Sequence, residues 1–166
     1  MQKVRLYSSA YLLAVFIVLS FLWAALIFSM SNEPATVSAD RSGGIADIVA
    51  ALLVKDFDSL VEADKVQTVS SIDHIIRKIA HFCIYAVLGA LVVLTSLYKN
   101  RTWLCHGLVA LLFGVAYAAS DEIHQYFVPG RGPRITDVIL DSFGVLCGIL
   151  FILFVSGIII KKSRKC

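Results

Sequence analysis

Residues 120–141, SDEIHQYFVPGRGPRITDVILD, decide how this chain folds. They hold four of the twelve acidic residues, two arginines, His124 and two of the three prolines. Long apolar runs flank them, 103–119 on one side and 138–160 on the other. A dense polar cluster between two lipid-compatible segments reads as the junction of two membrane helices. Ionisable groups at that depth are costly to keep, and by default they mark function. The turn is written in Phe127-Val128-Pro129-Gly130-Arg131-Gly132-Pro133, where proline fixes φ and glycine admits φ > 0.

The rest of the composition agrees. The chain has 166 residues, room for one domain spanning 1–166. It is 58% hydrophobic and 16% charged, with a mean hydropathy of +0.82. A soluble domain averages about a quarter charged. The apolar residues fall in long runs and do not alternate, which indicates an all-α, polytopic membrane protein. No basic stripe interleaves with aromatics, so nucleic acid is excluded as a partner. Cys83, Cys105 and Cys147 lie within apolar segments and Cys166 ends the chain. With no CxxC pair they read as small apolar residues.

Outward from the cluster, four transmembrane helices are predicted, at about 8–30, 75–98, 103–124 and 136–160. The first run is longer than the hydrophobic core of a signal peptide, so it reads as an uncleaved helix. Ser31-Asn32-Glu33-Pro34 stops it. Between helices one and two, Ile45, Ile48, Val49, Leu52 and Leu53 recur at helical spacing, predicting an outer amphipathic helix over 45–57. Ser59 and Glu62 fit a capping box, and Ser71 fits the N-cap of helix two. This segment admits three readings: a surface helix, a lid over the site, or a loose loop.

Three helices each carry one polar face. On helix two it is His74, Lys78, His81, Tyr85 and Gly89, with Ile75, Ile79, Phe82 and Ala86 toward lipid. On helix three it is Tyr117, Asp121 and His124. On helix four it is Asp137, Asp141, Gly144 and Gly148, and the glycines permit close helix approach. The N-terminal segment, residues 99–101 and the C-terminus hold eight of the fifteen basic residues and no acidic one. The remaining seven basic and all twelve acidic residues lie on the other side. By the positive-inside rule both termini are cytoplasmic and the polar faces gather at the outer boundary. Trp103 is placed at an interfacial level.

The gathered residues suit a charged headgroup. His81 and His124 are candidate acid–base or nucleophilic groups, with Asp121 and Asp137 orienting them. Lys78 and Arg131 fit anion recognition, with donors at the start of helix four nearby. Tyr85, Gln125 and Asp141 complete the binding set. Against this stands a purely structural network of paired charges. Glu122, Arg77 and Arg134 read as rim charges. His81, His124, Asp121, Asp137 and Asp141 could also ligate Zn²⁺ or Mg²⁺, but no HExxH-type spacing is present, and neither metal nor cofactor is expected. A carrier is disfavoured, because residues 104–116 hold only His106 and no Asp, Glu, Lys or Arg.

At these residues the chain resembles the VanZ-like family of small bacterial membrane proteins. The matching pieces are Arg77-Lys78-Ile-Ala-His81-Phe82-Cys-Ile-Tyr85-Ala-Val-Leu88-Gly89 and Ser120-Asp121-Glu122-Ile-His124-Gln125-Tyr-Phe127-Val-Pro129-Gly130-Arg131. Asp137-Val138, the Gly144 and Gly148 pair and Phe28-Ser29-Met-Ser31 extend the match. Asp141 stands where the family commonly shows Asn. The family is named for a teicoplanin-resistance determinant. The resemblance therefore implies a bacterial cytoplasmic-membrane protein linked to the envelope, with a membrane lipid or lipid-linked cell-wall precursor as partner. It implies no reaction and no oligomeric state.

Overall fold

The computed structural model describes residues 2–96 and 102–163. The 99–101 connection, Arg164 and Lys165 lie outside the described residues, as do the side chains of Lys3, Arg5, Trp103, Lys161 and Lys162. The described chain is all helical: α1 (Gln2–Ser31), α2 (Ala35–Leu53), a 3-10 turn at Phe57–Ser59, α3 (Glu62–Ser96), α4 (Trp103–Gln125) and α5 (Ile135–Ser163). Four stretches are long and apolar enough to cross a membrane, Ala10–Ser31, Glu62–Ser96, Leu104–Gln125 and Ile135–Gly157. These are the four predicted spans, and α2 is the predicted intervening helix.

The core lies between the four long helices. Ile27, Tyr85, Leu88, Val93, Ala110, Ala118, Val145 and Ile149 form one buried cluster. In hydrocarbon every backbone and indole donor needs an internal partner. Trp23 Nε1 donates to the Ile84 carbonyl at 2.8 Å, and Tyr117 Oη to the Ala24 carbonyl at 2.5 Å. Both bonds stitch α1 to the bundle. The α3–α5 interface is the most extensive of the described helix pairs. There, a Cβ at Gly144 would collide with the Phe82 carbonyl, one at Gly148 with the Ala86 carbonyl, and one at Gly89 with the Val145 backbone. Phe82 and Ala86 therefore face α5, not lipid as their sequence face suggested. The Phe82 and Phe143 rings meet there with centroids 6.2 Å apart. Ile75 and Ile79 of that same predicted face are exposed, as expected.

α3 differs from its predicted extent. It starts at Glu62, not near Ser71. Thirty-five residues span about 52 Å at helical rise, against a hydrocarbon core of about 30 Å. The extension survives because α2 packs along it, burying Ala46 and Ala50. Ser42 Oγ binds the Asp73 carboxylate, which also pairs with Arg77 at 2.7 Å. Ser71, expected as a cap, lies mid-helix and donates back to the Gln67 carbonyl. The capping box does not form either, since the Ser59 hydroxyl bonds the Asp56 carbonyl. α2 itself begins ten residues before the predicted start at Ile45. Its stripe of Ile45, Ile48, Leu52 and Leu53 points away from the protein. At its other end, the Ala35 N–H donates to the Pro129 carbonyl, and Gly130, at φ +76°, leaves room for the Ala35 Cβ.

Candidate functional site

The 126–134 turn, the start of α2 and the polar ends of α3, α4 and α5 enclose a cavity of about 230 Å³. Of the nine site residues expected from sequence, Lys78, His81, Gln125, Arg131, Asp137 and Asp141 line it. So do His74, Arg77, Glu122 and Arg134. His74 stands on the polar stripe of helix two, and the other three are the residues expected as rim charges. The half-buried His81 ring reaches the cavity with no hydrogen-bond partner among the described residues.

Asp121 and Tyr85 lie beneath the cavity, in the core. Asp121 Oδ2 accepts from Ser31 Oγ at 2.7 Å, Tyr85 Oη at 3.1 Å and Gln125 Nε2 at 3.2 Å. Three helices are thereby tied through one oxygen. Sequence reasoning placed Asp121 beside a histidine; the structure makes it the acceptor of a buried network, and Ser31 is the member not expected there. His124 stands elsewhere. Its ring packs on Phe28, with centroids 4.5 Å apart, and its Nε2 lies 3.2 Å from Asn32 Oδ1. It is not among the residues lining the cavity.

The charges in the cavity are partly spoken for. Lys78 Nζ pairs with Asp137 Oδ1 at 2.8 Å. The Glu122 carboxylate accepts the backbone N–H of Arg134, just before α5. The donors expected at the start of that helix are thus partly covered by an acid from α4, and Asp137 sits in its first turn. Arg131 Nε donates to the Glu33 carbonyl at 2.9 Å and its Nη2 to the Met30 carbonyl at 3.4 Å. Burial pulls this guanidinium below its ordinary range, while the Asp121 charge acts against that. It remains cationic at neutral pH. Part of its fork thus holds the end of α1, and the rest lines the cavity. Arg134 has no side-chain partner among the described residues. No three of the described His, Cys, Asp and Glu converge as a metal-binding group.

Arg131→Lys is expected to lower stability by about 1 kcal/mol, because an ammonium cannot reproduce the fork that spans both carbonyls. The apparent melting temperature in detergent checks this, and an unchanged value contradicts the stapling role.

A bundle of four apolar spans with a polar cavity at one end defines a polytopic helical membrane protein. Residues 16–156 match the family VanZ/LLP1, and the chain belongs to it. No curated protein and no solved structure matches the chain.

Proposed function

We propose that this VanZ-like protein binds the phosphorylated headgroup of an envelope lipid in the cavity, at the outer face of the bacterial cytoplasmic membrane. The observation that carries this is the lining: Arg77, Lys78, Arg131 and Arg134 converge on one cavity at the polar end of the bundle. Arginine suits phosphate by its planar fork. The charge bias of the termini and of residues 99–101 supports placing that end outside, with both termini in the cytoplasm. Size argues for a headgroup. Pockets for drug-sized ligands run to about 300–1,000 Å³, and this half-open cavity is about 230 Å³. A whole glycopeptide antibiotic does not fit within it.

Chemistry on the bound headgroup falls to His81, which is half-buried in the lining, whereas His74, the other lining imidazole, is exposed. A general base must reach its proton at about 2.6–3.2 Å or through one water. His124, packed on Phe28, is not placed for such a step, so the acid–base role expected for it gains no support. The second reading is a non-catalytic binder that shields a lipid-linked precursor and so contributes to teicoplanin tolerance. The pairing already present in the cavity favours it, since Lys78 and Asp137 satisfy each other without a ligand.

Binding of dihexanoyl phosphatidylglycerol to the purified full-length protein tests the shared claim. Arg134→Gln is expected to weaken it about threefold to tenfold, since the lost bond is charge-assisted but exposed. The Glu122 bond is untouched, because it uses the Arg134 backbone. Affinity equal to wild type removes phosphate recognition at this cavity. His81→Ala then separates the two readings. An enzyme loses lipid conversion, read by mass spectrometry of cell lipids, and keeps binding. A binder shows no lipid difference between cells with the wild-type protein and cells without it.

A further inference from the structure

We infer that the headgroup is zwitterionic, its phosphate meeting the arginine side of the cavity and a primary ammonium meeting Asp141. This rests on the headgroup reading above and narrows it. Three carboxylates line the cavity, and their states differ. Asp137 is bonded to Lys78, and Glu122 takes a backbone N–H. Asp141 is 3% exposed and lines the same cavity, yet no hydrogen bond reaches it among the described residues. Its Oδ1 is fully buried and without a donor.

A buried carboxylate without a partner is unfavourable, and a cation with N–H groups is what offsets it best. The described residues supply none. Lys78, the nearest amine along the α3 stripe, is taken by Asp137, one helical turn before Asp141 on α5. At the turn the Arg134 side chain has no partner among the described residues, and Arg131 has N–H groups beyond those given to α1. The cavity thus leaves guanidinium donors unpaired at the turn and a carboxylate unpaired at Asp141. A phosphate monoester supplies the first need only. A phosphoglycerol headgroup adds hydroxyls, which donate but carry no charge. A phosphoethanolamine-type group supplies both.

The test uses the full-length protein in detergent and titrates dihexanoyl lipids that share one phosphate and differ beyond it. Phosphatidylethanolamine is expected to bind at least about tenfold more tightly than phosphatidylglycerol, the worth of one charge-assisted bond. Phosphatidylcholine, which keeps the charge and loses the N–H donors, is expected between them. Asp141→Asn is expected to bring phosphatidylethanolamine down to the phosphatidylglycerol level. Equal wild-type affinities for these two lipids overturn the inference and leave the headgroup reading standing. No binding of any of them overturns both. Free phosphoethanolamine binding as tightly as the lipid keeps the zwitterion and overturns the lipid as its source. If Asp141→Asn does not fold, the wild-type ratio decides alone.

Discussion

Replacing Gly148 by alanine is expected to strip the protein of its packed bundle, and by valine to leave almost no monodisperse protein after extraction. The obstacle at this position is backbone. A Cβ there would come nearer than 3.0 Å to the Ala86 carbonyl carbon and oxygen. A rotamer change cannot clear a main-chain atom, so α5 must move away from α3. That movement opens the interface holding Gly89 on Val145 and Gly144 on Phe82. Overpacking of a core costs typically about 1–3 kcal/mol, and a helix separation forfeits dispersion along the whole contact. In lipid no hydrophobic term drives helices back together, so close packing carries much of the association. The glycines supply an internal scale. At Gly114 the added atom meets the methyls of Val145, which can rotate, so alanine is expected to be milder there. At Gly107 the nearest atom is a Leu153 methyl at 3.5 Å, ordinary contact, and alanine is expected to be nearly neutral. Apparent melting temperatures should rise from Gly148→Ala through Gly114→Ala to Gly107→Ala. Gly148→Ala melting with the wild type would show that the α3–α5 crossing has room for a methyl group.

The spans were readable because each is an apolar run longer than any soluble strand or helix core requires, and such runs locate themselves. The glycine pair in α5 was readable for the same reason: small residues at helical spacing have one good use in lipid. What they touch was not readable. Phe82 and Ala86 look like lipid-facing residues, and only the partner helix reveals that their carbonyls meet glycine. The extension of α3 over 62–74 was missed because its signal is tertiary. Its residues mix helix formers (Glu62, Ala63, Lys65, Gln67) with β-branched Val66, Thr68, Val69 and Ile72 and with Ser70 and Ser71, so propensity alone does not carry the helix there, and α2 supplies the surface it packs on. For the cavity, helical phase placed Lys78, His81, Asp137 and Asp141 together. Phase fixes a face only to within a turn, though. His124 follows Asp121 by three residues, yet it falls toward Asn32 while Gln125, one residue on, turns to the network. Glu122, Arg77 and Arg134 looked like rim charges because a sequence does not say which helix end another helix covers.

Asp121→Ala is expected to destabilise the protein by about 3 kcal/mol or more, although Asp121 is not a cavity-lining residue. Its Oδ2 accepts from Ser31 of α1, Tyr85 of α3 and Gln125 of α4. A hydrogen bond to a charged group contributes about 1.5–3 kcal/mol, and a buried donor left alone costs a further desolvation penalty. Alanine removes the acceptor and strands the Tyr85 hydroxyl, whose residue is fully buried. The α1–α4 interface is small and α1 packs mainly on α3, so the Ser31–Asp121 bond is one of the few ties that set α1 against α4. The Arg131 staple to Met30 and Glu33 sits just beyond, and loosening Ser31 should loosen it too. Binding of dihexanoyl phosphatidylglycerol is therefore expected to weaken along with stability, through position and not contact. Asp121→Asn keeps an accepting oxygen and should cost less, about 1–2 kcal/mol for the lost charge. The decisive measurement is a double-mutant cycle. Tyr85→Phe is expected to cost about 1 kcal/mol in the wild type and close to nothing, or a gain, beside Asp121→Ala, because its hydroxyl has then lost its acceptor. Equal costs in the two backgrounds would mean that Tyr85 and Asp121 act independently, and the network would not be what holds these three helices together.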